Sequence, residues 1–103
     1  MDEEVTIVRV YLKESDRGDK QRLLDELLAL LHGQGLAGAT VFRGLAGFGE
    51  HGAAEADLLH LAGNLPLTIE FFAPPAEAEA AISALRLHHA ALHIIHWRAA
   101  ARR

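Results

Sequence analysis

The chain has 103 residues, half of them apolar, with a formal net charge of −4 and no cysteine. This length predicts a single domain over residues 1–103 with a packed core, while the acidic balance argues against a nucleic-acid-binding protein and the missing cysteine excludes disulfides and thiolate chemistry. No apolar run approaches the length of a membrane span and the acidic N-terminus is unlike a secretory signal, so we expect no membrane insertion and a cytoplasmic location.

The first predicted elements are a strand and a helix. The segment VTIVRVYL, residues 5–12, is rich in β-branched residues and predicts a strand. Leucines then recur at helical spacing, which predicts a helix with an apolar stripe of Leu23, Leu24, Leu27, Leu28 and Leu31. We expect Asp16 or Asp19 to cap the start of this helix. Gly33 and Gly35 should end it, because glycine adopts the left-handed conformation common just past a helix.

A glycine-interrupted stretch follows the helix. Residues 39–49, ATVFRGLAGFG, predict a second strand in which Gly44 and Gly47 introduce a bulge or a sharp curl. Residues 50–63 carry mixed signals, and we expect a mobile loop there, with a short helical turn as an alternative.

The last third of the chain predicts a strand, a helix and a strand. In LPLTIEFFA, residues 65–73, alternate residues share each face of a strand. Pro74 and Pro75 end that strand and suit the first turn of a helix. The apolar stripe of this helix is Ala78, Ala81, Ile82 and Leu85. Residues 91–99 close the chain as the fourth strand.

This order of elements predicts an α+β fold, a ferredoxin-like βαββαβ sandwich with a four-stranded antiparallel sheet and two helices on one face. The first and last strands carry apolar residues on both sides, and two helices cover only one side of a sheet. At about 25 cal/mol per Å² of apolar surface, an uncovered second side would cost several kcal/mol. We therefore expect copies of the chain to pack together through this side. A monomer with an exposed apolar face is the alternative.

The glycine-rich region resembles a known family. The run VFRGLAGFGEHG, with GLAGAT before it and LPLTIEFF after it, resembles the uncharacterised PII-like family called domain-of-unknown-function family 190. The likeness extends from about Val5 to Trp97 and includes the opening VRVYLKESDR. That family is similar in fold to PII signalling proteins and CutA-type trimers. The resemblance implies a homotrimer whose sheets face inward, and no established reaction.

PII proteins bind ATP or ADP between subunits, and the resemblance implies ligand contacts on the glycine-rich strand. The residues that resemble the PII pattern are Gly38, Thr40, Gly47, Phe48 and Gly49, of which the candidate ligand-binding residues are Thr40, Gly47, Phe48 and Gly49. The spacing between Thr40 and Gly47 is one residue longer than in PII. Glu50 replaces a basic residue and would repel a polyphosphate, and RLHHAA lacks the second phosphate-contacting loop. The resemblance implies a small anionic ligand, with a nucleotide as one option. Alternatively, the glycines only curl the strand.

The arginines at the end of the chain and the arginine beside the glycine curl need separate interpretations. Arg98, Arg102 and Arg103 form either a C-terminal anion clamp, by analogy with PII, or a frayed solubilising tail. Arg43 lies beside the glycine curl and needs a carboxylate if it is buried. We expect Glu70 to supply that carboxylate in a structural ion pair.

Metal binding is the competing class of function. His51, Asp57 and His60 mix imidazole and carboxylate ligands in the 50–63 loop, which suits a divalent cation, while a solvated loop is the simpler interpretation. No nucleophile motif or zinc-protease motif appears, so we expect no enzyme activity. Together with the resemblance, the sequence favours a regulatory trimer without an established cofactor. It would bind its ligand between subunits and present the 50–63 loop to a partner protein. The alternatives are a metal-binding trimer and a purely structural interaction module.

Overall fold

The computed structural model describes residues 1–12, 20–44, 47–49, 52–54 and 67–102. Its elements in chain order are β1 (Asp2–Leu12), α1 (Lys20–Gly33), β2 (Thr40–Arg43), β3 (Gly47–Gly49), β4 (Gly52–Ala54), β5 (Leu67–Ala73), α2 (Pro75–His88) and β6 (His93–Arg102).

Four of the strands form one antiparallel sheet. Its strand order is β2-β5-β1-β6, and each neighbouring pair is antiparallel. Each helix therefore connects two strands that are not hydrogen-bonded to each other, as the two crossovers of a ferredoxin-like fold require. This arrangement confirms the fold class predicted from the order of elements.

A single apolar core lies between this sheet and the two helices. One side of β1 contributes Val8, Val10 and Leu12, and one side of β5 contributes Leu67, Ile69, Phe71 and Ala73. The leucine stripe of α1 and the alanine-rich stripe of α2 pack against them, with Leu27, Ala78, Ala81 and Leu85 fully buried. Both helices thus cover the same side of the sheet, because all the residues that β1 and β5 contribute to this core cluster point to that side.

The ends of the helices follow the local sequence. Gly35 has a φ of +80° just past α1, and its N–H donates to the carbonyl of His32 at 3.0 Å. Pro75 occupies the first turn of α2, where the N–H of Ala78 donates to the carbonyl of Pro74 at 2.9 Å. These features confirm the glycine and proline boundaries. The predicted caps Asp16 and Asp19 lie outside the described residues.

The glycine-rich stretch differs from its prediction. The strand expected over 39–49 is divided: β2 ends at Arg43, and Gly47–Gly49 pairs with Gly52–Ala54 in a separate two-stranded sheet. Residues 52–54 were expected in a loop, and that expectation is wrong. Glycine and alanine do not give the alternation of apolar and polar residues that indicates a strand, although they are compatible with a tight hairpin. Among the described residues, neither helix has the length and apolarity to cross a membrane.

Candidate functional site

The side of the sheet opposite the helices, which we call the open face, carries large exposed apolar side chains. They are Phe42, Phe72, Ile95 and Trp97, with exposed fractions between 38% and 59%. On β1 and β5 the residues that alternate with the core residues point to this side. The prediction that the sheet is apolar on both faces is therefore confirmed.

Where β5, β1 and β6 pair side by side, strand register arranges the open face in three rows. In the first row Phe72, Ile7 and Trp97 lie side by side on β5, β1 and β6. This apolar row crosses the three strands without a polar interruption. The other two rows run parallel to it: Thr40, Glu70, Arg9 and Ile95 form the second, and Phe42, Thr68, Tyr11 and His93 form the third.

The middle row contains an ion pair, which we call the central pair. The Nε and Nη2 atoms of Arg9 both donate to Oε1 of Glu70, at 3.0 and 2.8 Å. The guanidinium of Arg9 also lies over the ring of Trp97, 5.1 Å from its centroid. Hydrogen bonding to Glu70 raises the pKa of Arg9 above its ordinary value. The central pair thus links β5, β1 and β6 at the middle of the open face.

The central pair replaces the ion pair predicted between Arg43 and Glu70. Arg43 is the register partner of Leu67, whereas Glu70 is the partner of Thr40. Thr40 and Arg43 are three residues apart on one strand and therefore point to opposite faces of the sheet. That prediction is wrong. Arg9 lies on the same side of β1 as Ile7, and the strand order brings it next to Glu70.

A cavity adjoins the strand that carries Thr40. It has a volume of about 300 Å³ and is lined by Leu28, Leu31, His32, Leu36, Ala37, Gly38 and Ala39. Thr40 follows this lining directly in the chain and is exposed at the start of β2. Gly38 is exposed, and a Cβ added there would meet no atom within 4 Å, so a side chain can be added at this position without a clash.

The four candidate ligand-binding residues fall on two sheets. Thr40 belongs to the four-stranded sheet, whereas Gly47, Phe48 and Gly49 form β3 of the small hairpin. Their role in binding stays a prediction. The alternative metal ligands His51, Asp57 and His60 lie outside the described residues, and the described part of the chain contains no cluster of three or more potential metal ligands.

The C-terminal arginines belong to a regular strand. Nε of Arg102 donates to Oδ1 of Asp2 at 2.7 Å, and Nη1 of Arg98 donates to Oε2 of Glu4 at 3.4 Å. Hydrogen bonding to Asp2 also raises the pKa of Arg102. The expectation of a frayed tail is wrong for Arg98 and Arg102, because β6 runs to Arg102 along β1. Both guanidinium groups already have a carboxylate partner, and Arg103 lies outside the described residues.

The chain matches a known family over nearly its whole length. The model of family DUF190, described as "Uncharacterized ACR", matches residues 5–100. The UPF0166 protein of Methanocaldococcus jannaschii is 38% identical over 64 residues, which are 62% of this chain and 59% of that protein. The match thus spans less than two thirds of the relative's own length.

Solved structures of PII-like proteins share the fold. CPII of Thiomonas intermedia K12, a nitrogen regulatory PII-like protein solved with ADP, AMP and bicarbonate, is 18% identical, with a TM-score of 0.70 over 100% of this chain and 92% of that chain. A protein of Thermus thermophilus, provisionally described as PII-like and signalling, is 13% identical, with a TM-score of 0.61 over 97% and 89% of the two chains. At these identities the likeness is one of fold, and it confirms the PII-like architecture.

Proposed function

The chain belongs to the DUF190 family, and from that premise we propose that it is a non-catalytic regulatory protein. In this proposal it assembles as a homotrimer through the open face and binds a small anionic ligand, with an adenine nucleotide as the first candidate, where two copies meet. The observation that carries the proposal is the open face, with its exposed apolar row beside a PII-like arrangement of strands.

The chemistry of the open face favours another copy of the chain as its cover. The exposed aromatic side chains gain free energy when they leave water, at about 25 cal/mol per Å² of apolar surface. The charges of Arg9 and Glu70 already neutralise one another within the copy. A strongly charged partner would find no unpaired full charge among the described residues of the three rows, whereas a second copy brings an equally apolar and neutral surface. The number three is inferred from the resemblance to PII and CutA-type proteins.

The surroundings of Thr40 support the proposed ligand. A cavity of about 300 Å³ is at the lower end of the range for small-molecule sites, and its mainly apolar wall suits a planar heterocycle. The Thr40 hydroxyl lies on the open face, on the other side of the sheet from this cavity, and can donate to an anionic group there. The N–H groups of a glycine strand can approach an anion without a Cβ in the way. CPII was solved with ADP and AMP, which makes these nucleotides the first probes.

Sedimentation velocity and titration calorimetry test the two parts of the proposal. We expect a species of three times the chain mass at micromolar concentration and a heat of binding with ADP, AMP or ATP. Gly38→Leu should add a bulky side chain at a residue that lines the cavity and abolish that heat, whereas Gly33→Leu is a matched control because Gly33 is outside the lining and its added Cβ also meets nothing within 4 Å. A monomeric wild-type protein would contradict the assembly, and equal binding by both variants would contradict the ligand site.

A further inference from the structure

The central pair is an unusual feature of the three rows, whose other described residues are apolar or neutral. Within the described residues of the three rows, Arg9 and Glu70 carry the full charges. They belong to the second row, between the apolar first row and the third row, which contains Tyr11. We propose that the central pair determines whether, and in which orientation, a second copy can cover the open face. This inference rests on the proposed self-association and adds the residues that control it.

Water still reaches the central pair in a separate copy. The side chains of Arg9 and Glu70 are 38% and 29% exposed. A partly solvated ion pair contributes little to the folding of a single chain, because each ion is also stabilised by water. Loss of either partner should therefore have a small effect on the fold of one copy.

Covering the open face removes this stabilisation of the two ions by water. A second copy packed on the three rows removes the remaining water from Arg9 and Glu70. The attraction between two paired charges offsets much of the free-energy cost of losing this water. A single unpaired charge under an apolar cover has no such compensation and is strongly unfavourable. Two apolar side chains of similar size in place of Arg9 and Glu70 would also have no charge to desolvate. The central pair thus permits assembly as a pair, and either residue alone opposes it.

The orientation of assembly follows from the geometry of the pair. The guanidinium of Arg9 is fixed from two directions, by Oε1 of Glu70 on β5 and by the ring of Trp97 on β6. A guanidinium held in this way keeps its plane, and the N–H groups that Glu70 does not accept keep a fixed orientation. An approaching copy must leave those groups hydrogen-bonded or hydrated, and this restricts the packing angles that the two faces can adopt.

A double-mutant cycle read by sedimentation equilibrium tests the inference. The variants are Arg9→Met, Glu70→Met and the double variant, with circular dichroism to verify that each is folded. We expect each single variant to raise the concentration for half-assembly by roughly a hundredfold or more. The double variant should assemble within a few-fold of the wild type, or more tightly, because no charge is left unpaired.

Phe72→Ser, which alters the apolar row without touching the central pair, separates this inference from the proposed function. If Phe72→Ser weakens assembly and the two single variants do not, the open face is the interface but the central pair does not control it. If the double variant assembles as poorly as the single ones, charge compensation is not the reason and the inference is also wrong. A wild-type protein that stays monomeric would overturn the proposed assembly and this inference together.

Discussion

Gly35 is the residue whose backbone demands glycine most clearly. Its φ of +80° lies in the left-handed region, where a side chain costs about 1 kcal/mol or slightly more. We therefore expect Gly35→Ala to lower the free energy of unfolding by about 1 kcal/mol in urea denaturation. Gly33→Ala is the control, because Gly33 has an ordinary φ and lies in the last turn of α1. A Gly35→Ala protein as stable as the wild type would refute this account of the end of the helix.

The roles of single residues were predictable from the sequence where they depend on the conformation of neighbouring residues only. Gly35 and Pro75 were assigned correctly because a helix end depends on the conformation of one or two residues. The partner of Glu70 was assigned wrongly, because it depends on which strands are neighbours and in what register. Arg9 lies 61 positions from Glu70, and no local pattern connects them.

At the scale of elements, the sequence predicted the strands and helices that have an apolar period. The stripes predicted for α1 and α2 lie in the core or pack against it, and the two faces predicted for β5 are its buried side and its open side. The hairpin of β3 and β4 was missed because glycine and alanine show no such period. The end of β6 was missed for a different reason. It is held by pairing with Asp2–Val5, at the opposite end of the chain.

Helix α2 offers a direct test of which face supports the fold. Leu85 is 0% exposed in the core, whereas Leu87 is 89% exposed on the same helix. We expect Leu85→Ala to lower the free energy of unfolding by about 2–5 kcal/mol through loss of burial and creation of a cavity. The same change at Leu87 should alter it by less than about 0.5 kcal/mol. Urea denaturation at one fixed protein concentration measures both. Similar losses at the two positions would contradict the assignment of the buried face.

At the scale of the whole molecule, the sheet has two apolar sides and one set of helices. The helix-facing side is filled by the core, and the open face retains Phe42, Phe72, Ile95 and Trp97. The sequence predicted this imbalance from alternation alone. The ligand contacts on Thr40 and the β3 hairpin stay a prediction, because these residues lie on different sheets. A site built from separate sheets depends on how loops and copies come together.

The proposed assembly and the proposed ligand site therefore make a joint prediction. Phe72→Ser removes an exposed aromatic ring from the apolar row without opening the core, so the chain should fold but remain monomeric. If the ligand lies where two copies meet, this monomer should lose at least tenfold in nucleotide affinity, because only half of the contacts remain. Titration calorimetry combined with sedimentation velocity measures both properties on the same sample.

Leu87→Ser is the matched control for this experiment, since Leu87 is an exposed apolar residue on α2, on the other side of the sheet from Phe72. It should assemble and bind like the wild type. A monomeric Phe72→Ser protein that binds nucleotide with undiminished affinity would place the site within one copy. The apolar cavity between α1 and β2 would then be sufficient for binding. Self-association would in that case have a function other than completing the ligand site.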